Sequence, residues 1–117
     1  MEDRKRYDLE ERTFRFTKNV IDFVNKIPKN LSNIEIAKQL IRSAGSVGAN
    51  YIEANEALGK KDFIMHARIA RKEAKESRYW LQLVDCPVTH QPFKEQLIQE
   101  STEILKILSR IIEKSSL

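Results

Sequence analysis

The apolar residues of this chain repeat every three or four positions through four long segments, and the rhythm breaks at only three places. Leu9, Thr13, Phe16, Val20, Phe23 and Ile27 keep it in the first segment. Phe63, Ala67, Ala70, Ala74, Ser77, Leu81 and Val84 keep it in the third, and Leu97, Ser101, Ile104, Leu108 and Ile111 in the fourth. Ile98, Leu105 and Ile112 widen that last stripe. The prolines Pro28, Pro87 and Pro92 fall between the segments, where a residue without a donor and with a fixed φ ends a helix. Gly59 marks the remaining break and suits the left-handed residue that closes a helix. The spacing predicts helices over about 9–27, 32–58, 60–86 and 92–115. Short links between long segments of 3.5-residue period predict an all-α, antiparallel up-down-up-down four-helix bundle in one domain, 1–117.

Composition agrees. With three Gly and three Pro in 117 residues, the chain lacks the turn signals of a β-sandwich or barrel. A single cysteine, Cys86, excludes an internal disulfide framework, and its place at a helix end reads as apolar packing. Charged residues make up 32%, and the longest uncharged run, Ser43 to Ile52, is half the length that spans a bilayer. Nothing behind Met1-Glu2-Asp3-Arg4-Lys5-Arg6 resembles a signal peptide. The expectation is a cytoplasmic protein with no membrane contact.

The second segment opens on Ser32-x-x-Glu35, which reads as a capping box, with Leu31 and Ile36 as its hydrophobic staple. Its interior, Arg42 to Asn50, holds Gly45, Gly48 and several small residues. A mid-helix glycine costs about 1 kcal/mol against alanine, so close approach of a neighbouring helix is the expected reason. A phosphate-cradling loop is excluded, since no strand precedes these glycines and no Lys-Ser or Lys-Thr follows.

Catalytic and metal constellations are missing. No Glu-x-x-His pair of the di-iron type occurs, and His66 and His90 sit apart, with Asp62 one turn from His66. No cofactor, metal or catalytic residue is expected, and the chain reads as a non-enzyme.

The formal charge of +4 is unevenly spread. Residues 60–78 carry seven basic and three acidic groups, and residues 1–31 carry eight and six. At 100° per residue, Lys60, Lys61, Arg68, Arg71, Lys72, Lys75 and Arg78 share an arc of roughly 120°, outside which Asp62, Glu73 and Glu76 fall. Segregated like charges repel, and an external anion relieves them. We single out Lys61, Arg68, Arg71, Lys72, Lys75 and Arg78 as nucleic-acid-binding candidates, acting on the backbone of RNA before DNA and without base readout. Tyr79 lies in the arc, as a stacking platform or as a rim tyrosine. The alternative occupant of this face is an acidic protein. Met65, Ile69 and Trp80 lie on the acidic side of the same helix and mark a subunit interface, unless Trp80 wraps the edge of its own bundle.

The stretch Arg42-Ser-Ala-Gly-Ser-Val-Gly-Ala-Asn-Tyr-Ile-Glu53, with Lys60-Lys-Asp-Phe63 and Lys72-Glu-Ala-Lys-Glu-Ser-Arg-Tyr-Trp-Leu81, resembles the small four-helix-bundle proteins encoded in intervening sequences of bacterial 23S ribosomal RNA genes. The resemblance covers roughly residues 9 to 112; the chain departs from it at Ala54, where the family carries glycine. It implies a homopentameric barrel. It also implies kinship with accessory bundle proteins of diversity-generating retroelements, which bind nucleic acid and a reverse transcriptase through basic surfaces.

Overall fold

The computed structural model describes the backbone of residues 2–116 and the side chains of residues 9–116. Arg4, Lys5 and Arg6, part of the N-terminal basic excess, lie outside the described side chains. Four helices and no strand are found among the described residues: α1 (Glu2–Val24), α2 (Leu31–Asn55), α3 (Lys60–Leu83) and α4 (Gln91–Ser115), with a 3-10 turn at Val88–His90 before the last. The molecule is a rod, 45 × 24 × 19 Å.

The core follows the rhythm of the sequence. Phe16, Val20, Phe23, Leu40, Val47, Leu81, Ile104 and Leu108 are each no more than 1% exposed, and Thr13, Ser43, Ser77 and Ser101 complete the heptads inside it. The buried hydroxyls are all bonded. Ser43 and Ser77 face each other at 2.8 Å, and each also reaches a carbonyl of its own helix, Leu40 and Glu73. Small residues set the spacing. Ala67, Ala70 and Ala74 are fully buried along α3, which draws its backbone against its neighbours. Thr17 donates to the Ala44 carbonyl across the α1–α2 contact at 2.9 Å. A Cβ on Gly48 would stand 3.2 Å from Thr13 Oγ1, so the close approach expected of the α2 glycines belongs to Gly48. Gly45 has no neighbour of its own chain within 4 Å, and nothing within the chain explains it.

Three local expectations are corrected. The cap of α2 is Asn30, whose side chain accepts from the Asn33 N–H at 2.9 Å; Ser32 only donates to Asn30 Oδ1, and Leu31 is 82% exposed, so no staple forms. Gly59 is extended (φ −155°, ψ 166°) and begins α3 instead of closing α2 in the left-handed region. Helices α1, α2 and α3 also end about three residues early, at Val24, Asn55 and Leu83. Ile27 and Val84 nevertheless stay buried, 5% and 3% exposed, because the chain past each helix end still folds over the core. At α3 the Lys94 ammonium receives the frayed end, donating to the Gln82 and Val84 carbonyls.

Candidate nucleic-acid interface

The rotation of α3 is fixed by what it buries. Ala67, Ala70, Ala74, Ser77 and Leu81 point inward, so the opposite side of the helix faces water. Lys61, Arg68, Lys72 and Lys75 are exposed on it, and Arg71 and Arg78 are half-buried at its edge. Arg78 donates to Thr102 Oγ1 of α4 at 3.3 Å, which orients the guanidinium without neutralising it. None of these six groups makes an ion pair among the described residues, although the chain forms such pairs elsewhere, as at Arg15–Glu11, Lys26–Asp22 and Lys38–Glu35. The backbone therefore delivers one face carrying six cations with no internal anion against them.

The face also draws in a residue of α2. Arg42, Lys72, Glu73, Lys75, Glu76 and Tyr79 line an open cleft of about 430 Å³ between α2 and α3. Arg42 stands thirty residues from Lys72 in sequence, so only the fold joins them. Tyr79 is 56% exposed at the cleft and packs edge-to-face on Trp80, with centroids 5.1 Å apart. Its ring is thus held firmly with one side toward solvent, the requirement for a stacking platform. At the cleft floor, burial and the adjoining Glu76 carboxyl push the Glu73 carboxyl above its usual range, while Ser46 and Arg42 pull it back. One Glu73 oxygen, Oε1, is shut away from solvent without a partner.

The apolar candidates divide. Met65 is 48% exposed, and Leu83 at 49% continues its line toward the helix end. Ile69 is half-buried. Trp80 packs against the core of its own chain, with Nε1 buried and unpartnered, so the bundle-edge alternative describes most of its surface.

Sequence reasoning does not reach a second cleft, of about 560 Å³, between α1 and α4. Arg12 crosses it to Glu100 with two bonds of 2.6 and 2.8 Å, above Phe16, Phe93 and Leu97. The partners are 88 positions apart, and no spacing rule connects them. His66 lies 3.6 Å from Asp62 and 3.4 Å from Asn50 Oδ1 of α2. Among the described residues, no group of three His, Cys, Asp or Glu is placed to hold a metal, and no helix is long and apolar enough to cross a membrane. Cys86 is half-buried against the core, and burial raises its thiol pKa.

The family model described as 23S rRNA-intervening sequence protein matches residues 5–110. Among solved structures, the chain is similar to a crystal structure of a protein with unknown function from the S23 ribosomal protein family of Bacteroides thetaiotaomicron. The two are 32% identical with a TM-score of 0.75, over 93% of this chain and 98% of that one. No curated protein matches the chain.

Proposed function

The chain belongs to the 23S rRNA-intervening sequence protein family, and from that premise we propose that it is a non-catalytic, self-associating protein that holds nucleic acid by its backbone, RNA ahead of DNA. In this reading the four helices form an antiparallel up-down-up-down bundle. Glu10 with Asn55, Thr17 with Ala44, Asn50 with His66 and Asn33 with Asp85 are the side-chain pairings that support it. The observation that carries the binding reading is the α3 face itself: Lys61, Arg68, Arg71, Lys72, Lys75 and Arg78 together, with no ion pair to any of them among the described residues. Unneutralised cations on a rigid helix attract a polyanion whose charges recur along a line, and they release its counterions on binding. Arg42 extends the face across to α2, and Tyr79 offers a ring to an unpaired base. Self-association multiplies the stripe, so a weak single-subunit contact becomes a strong multivalent one.

The test is a mobility shift with random-sequence RNA and DNA at low salt. Binding to either, lost steeply as salt rises, is the expected result. No shift with either assigns the basic face to an acidic protein instead.

A further inference from the structure

The most apolar surface of the molecule lies away from the basic face. On α1, Phe14 (64% exposed) and Ile21 (42%) stand seven residues apart; on α2, Ile34 (43%), Ile41 (37%) and Ile52 (45%) repeat at seven and eleven. At 100° per residue each set falls within about 20° of one line along its helix. The two lines run side by side. On α1 the contact to α2 is made by Glu10, Thr13 and Thr17, and on α2 by Ala44, Gly48 and Asn55. Each exposed line is offset from those contacts by roughly 60°, on the side away from the core. The two helices together therefore present one apolar face. From Ile34 to Ile52 it runs about 27 Å, and two helices wide it covers on the order of 500 Å². That is the size of the largest apolar patch on an ordinary monomer, and with a polar rim it approaches the 800 Å² or so that each partner buries in a stable complex.

The charges inside this face are lysines: Lys18 between Phe14 and Ile21, and Lys38 between Ile34 and Ile41. Lys38 meets only Glu35, on a pair about two-thirds exposed. A complementary line exists elsewhere on the chain. Met65, Ile69, Glu76 and Leu83 fall within about 40° on α3, and Glu73 adjoins Glu76 there. Neither carboxylate has an ion-pair partner among the described residues, and Glu73 Oε1 is cut off from water. One face is apolar with lysines; the other is apolar with carboxylates.

We propose that the α1/α2 face of one chain covers the Met65–Ile69–Leu83 line of α3 on a second copy, with Lys18 and Lys38 brought to Glu73 and Glu76. The inference rests on the self-association proposed above and assigns its surfaces. Because the contact joins two different patches, it is heterologous, and successive copies close a ring or extend a chain. The contact lies beside the basic arc and leaves Lys61, Arg68 and Lys75 on the open side, so neighbouring stripes line up.

Two single variants and their mixture test this by sedimentation or light scattering at micromolar concentration. Phe14→Glu removes the α1/α2 face and Met65→Glu the α3 line, both at exposed helix positions, and circular dichroism checks that helicity persists. Each alone should fall to the 13.7 kDa monomer. Mixed, they should form a species of about 27 kDa, two chains of 13.7 kDa, because the intact α3 line of one meets the intact α1/α2 face of the other. Ile52→Glu and Leu83→Glu repeat the experiment if either first variant loses helicity. A variant that assembles like the wild type, or a mixture that stays monomeric, overturns the assignment of surfaces. A monomeric wild type overturns self-association itself.

Discussion

Asn33 grips Asp85 by both of its backbone groups: Oδ1 accepts the Asp85 N–H at 2.8 Å, and Nδ2 donates to the Asp85 carbonyl at 2.8 Å. The same amide nitrogen donates to the Pro28 carbonyl at 3.0 Å, and Asn33 itself is 1% exposed. One side chain thus ties the α1–α2 link to the frayed end of α3, 52 residues on. The backbone groups just past a helix end have no partner in the helix, and here a buried amide supplies both a donor and an acceptor.

Asn33→Ala should therefore destabilise the chain by about 2–3 kcal/mol, because it leaves three backbone groups unpaired at once. Asn33→Asp should cost more, since a carboxylate cannot donate to the two carbonyls that Nδ2 now serves. Urea midpoints at constant slope measure both. A loss no larger than that of an ordinary surface substitution would show that water takes over the three bonds.

Gly48 in α2 and Gly59 at the start of α3 should respond to substitution with opposite signs. Gly59 is extended and makes no side-chain cap bond, and a Cβ added there would meet nothing within 4 Å. Gly59→Asp supplies a cap oxygen and stiffens the unfolded chain, for a gain of about 0.5–1 kcal/mol. Gly48→Ala sets a methyl 3.2 Å from Thr13 Oγ1. That hydroxyl is fully buried and already committed to the Glu10 carbonyl. Helix α1 must shift, and the net loss should be about 1 kcal/mol after the gain in helix propensity. Paired thermal melts decide both signs.

The helices were legible because burial and periodicity are the same information. Thr13, Ser77 and Ser101 keep the heptad despite being polar, and all three are buried. What the pattern does not carry is the choice between equivalent local solutions. Asn30 and Ser32 are both good capping residues, and the winner is set by Asn33, whose partners lie in another loop. Gly59 serves either helix end equally well by composition, and only the sign of φ separates the two. The candidate site divides the same way. The basic arc of α3 follows from helical geometry alone, whereas Arg42 joins it through tertiary packing. The Ile34–Ile41–Ile52 line has the spacing of a core stripe; that it faces water depends on where α1 sits.

Glu73 gives the stability a pH dependence of unusual sign. Burial and then Glu76 raise its carboxyl pKa in the folded chain above the ordinary value near 4.5, against the pull of Ser46 and Arg42. The folded state then holds a proton that the unfolded state has lost, so this group's contribution falls as pH rises from about 4.5 through the raised folded pKa, and is recovered on acidification. Glu73→Gln should be more stable than the wild type at neutral pH. The difference should shrink as pH approaches 4.5, where the wild-type carboxyl is protonated in the fold. Urea midpoints of the two proteins across that range test it; parallel curves would place the Glu73 charge in water.

Charge reversal on α3 should separate binding from folding. Arg68, Lys72 and Lys75 are exposed and off the buried seam of Ala67, Ala70, Ala74 and Leu81. The triple variant Arg68→Glu, Lys72→Glu, Lys75→Glu should keep its helicity and lose nucleic acid binding. A subunit that offers four cations to phosphates should show a log–log salt slope of about −3 to −4 in the wild type. Arg42→Glu is the more pointed test, because Arg42 shares the cleft with Lys72 and Lys75 yet sits on a different helix. If the nucleic acid follows the cleft, this single change should flatten the slope by about two, one for the lost cation and one for the added repulsion. If it follows α3 alone, the slope of the Arg42→Glu variant should match that of the wild type, and the path of the backbone would run along the helix and not across to α2.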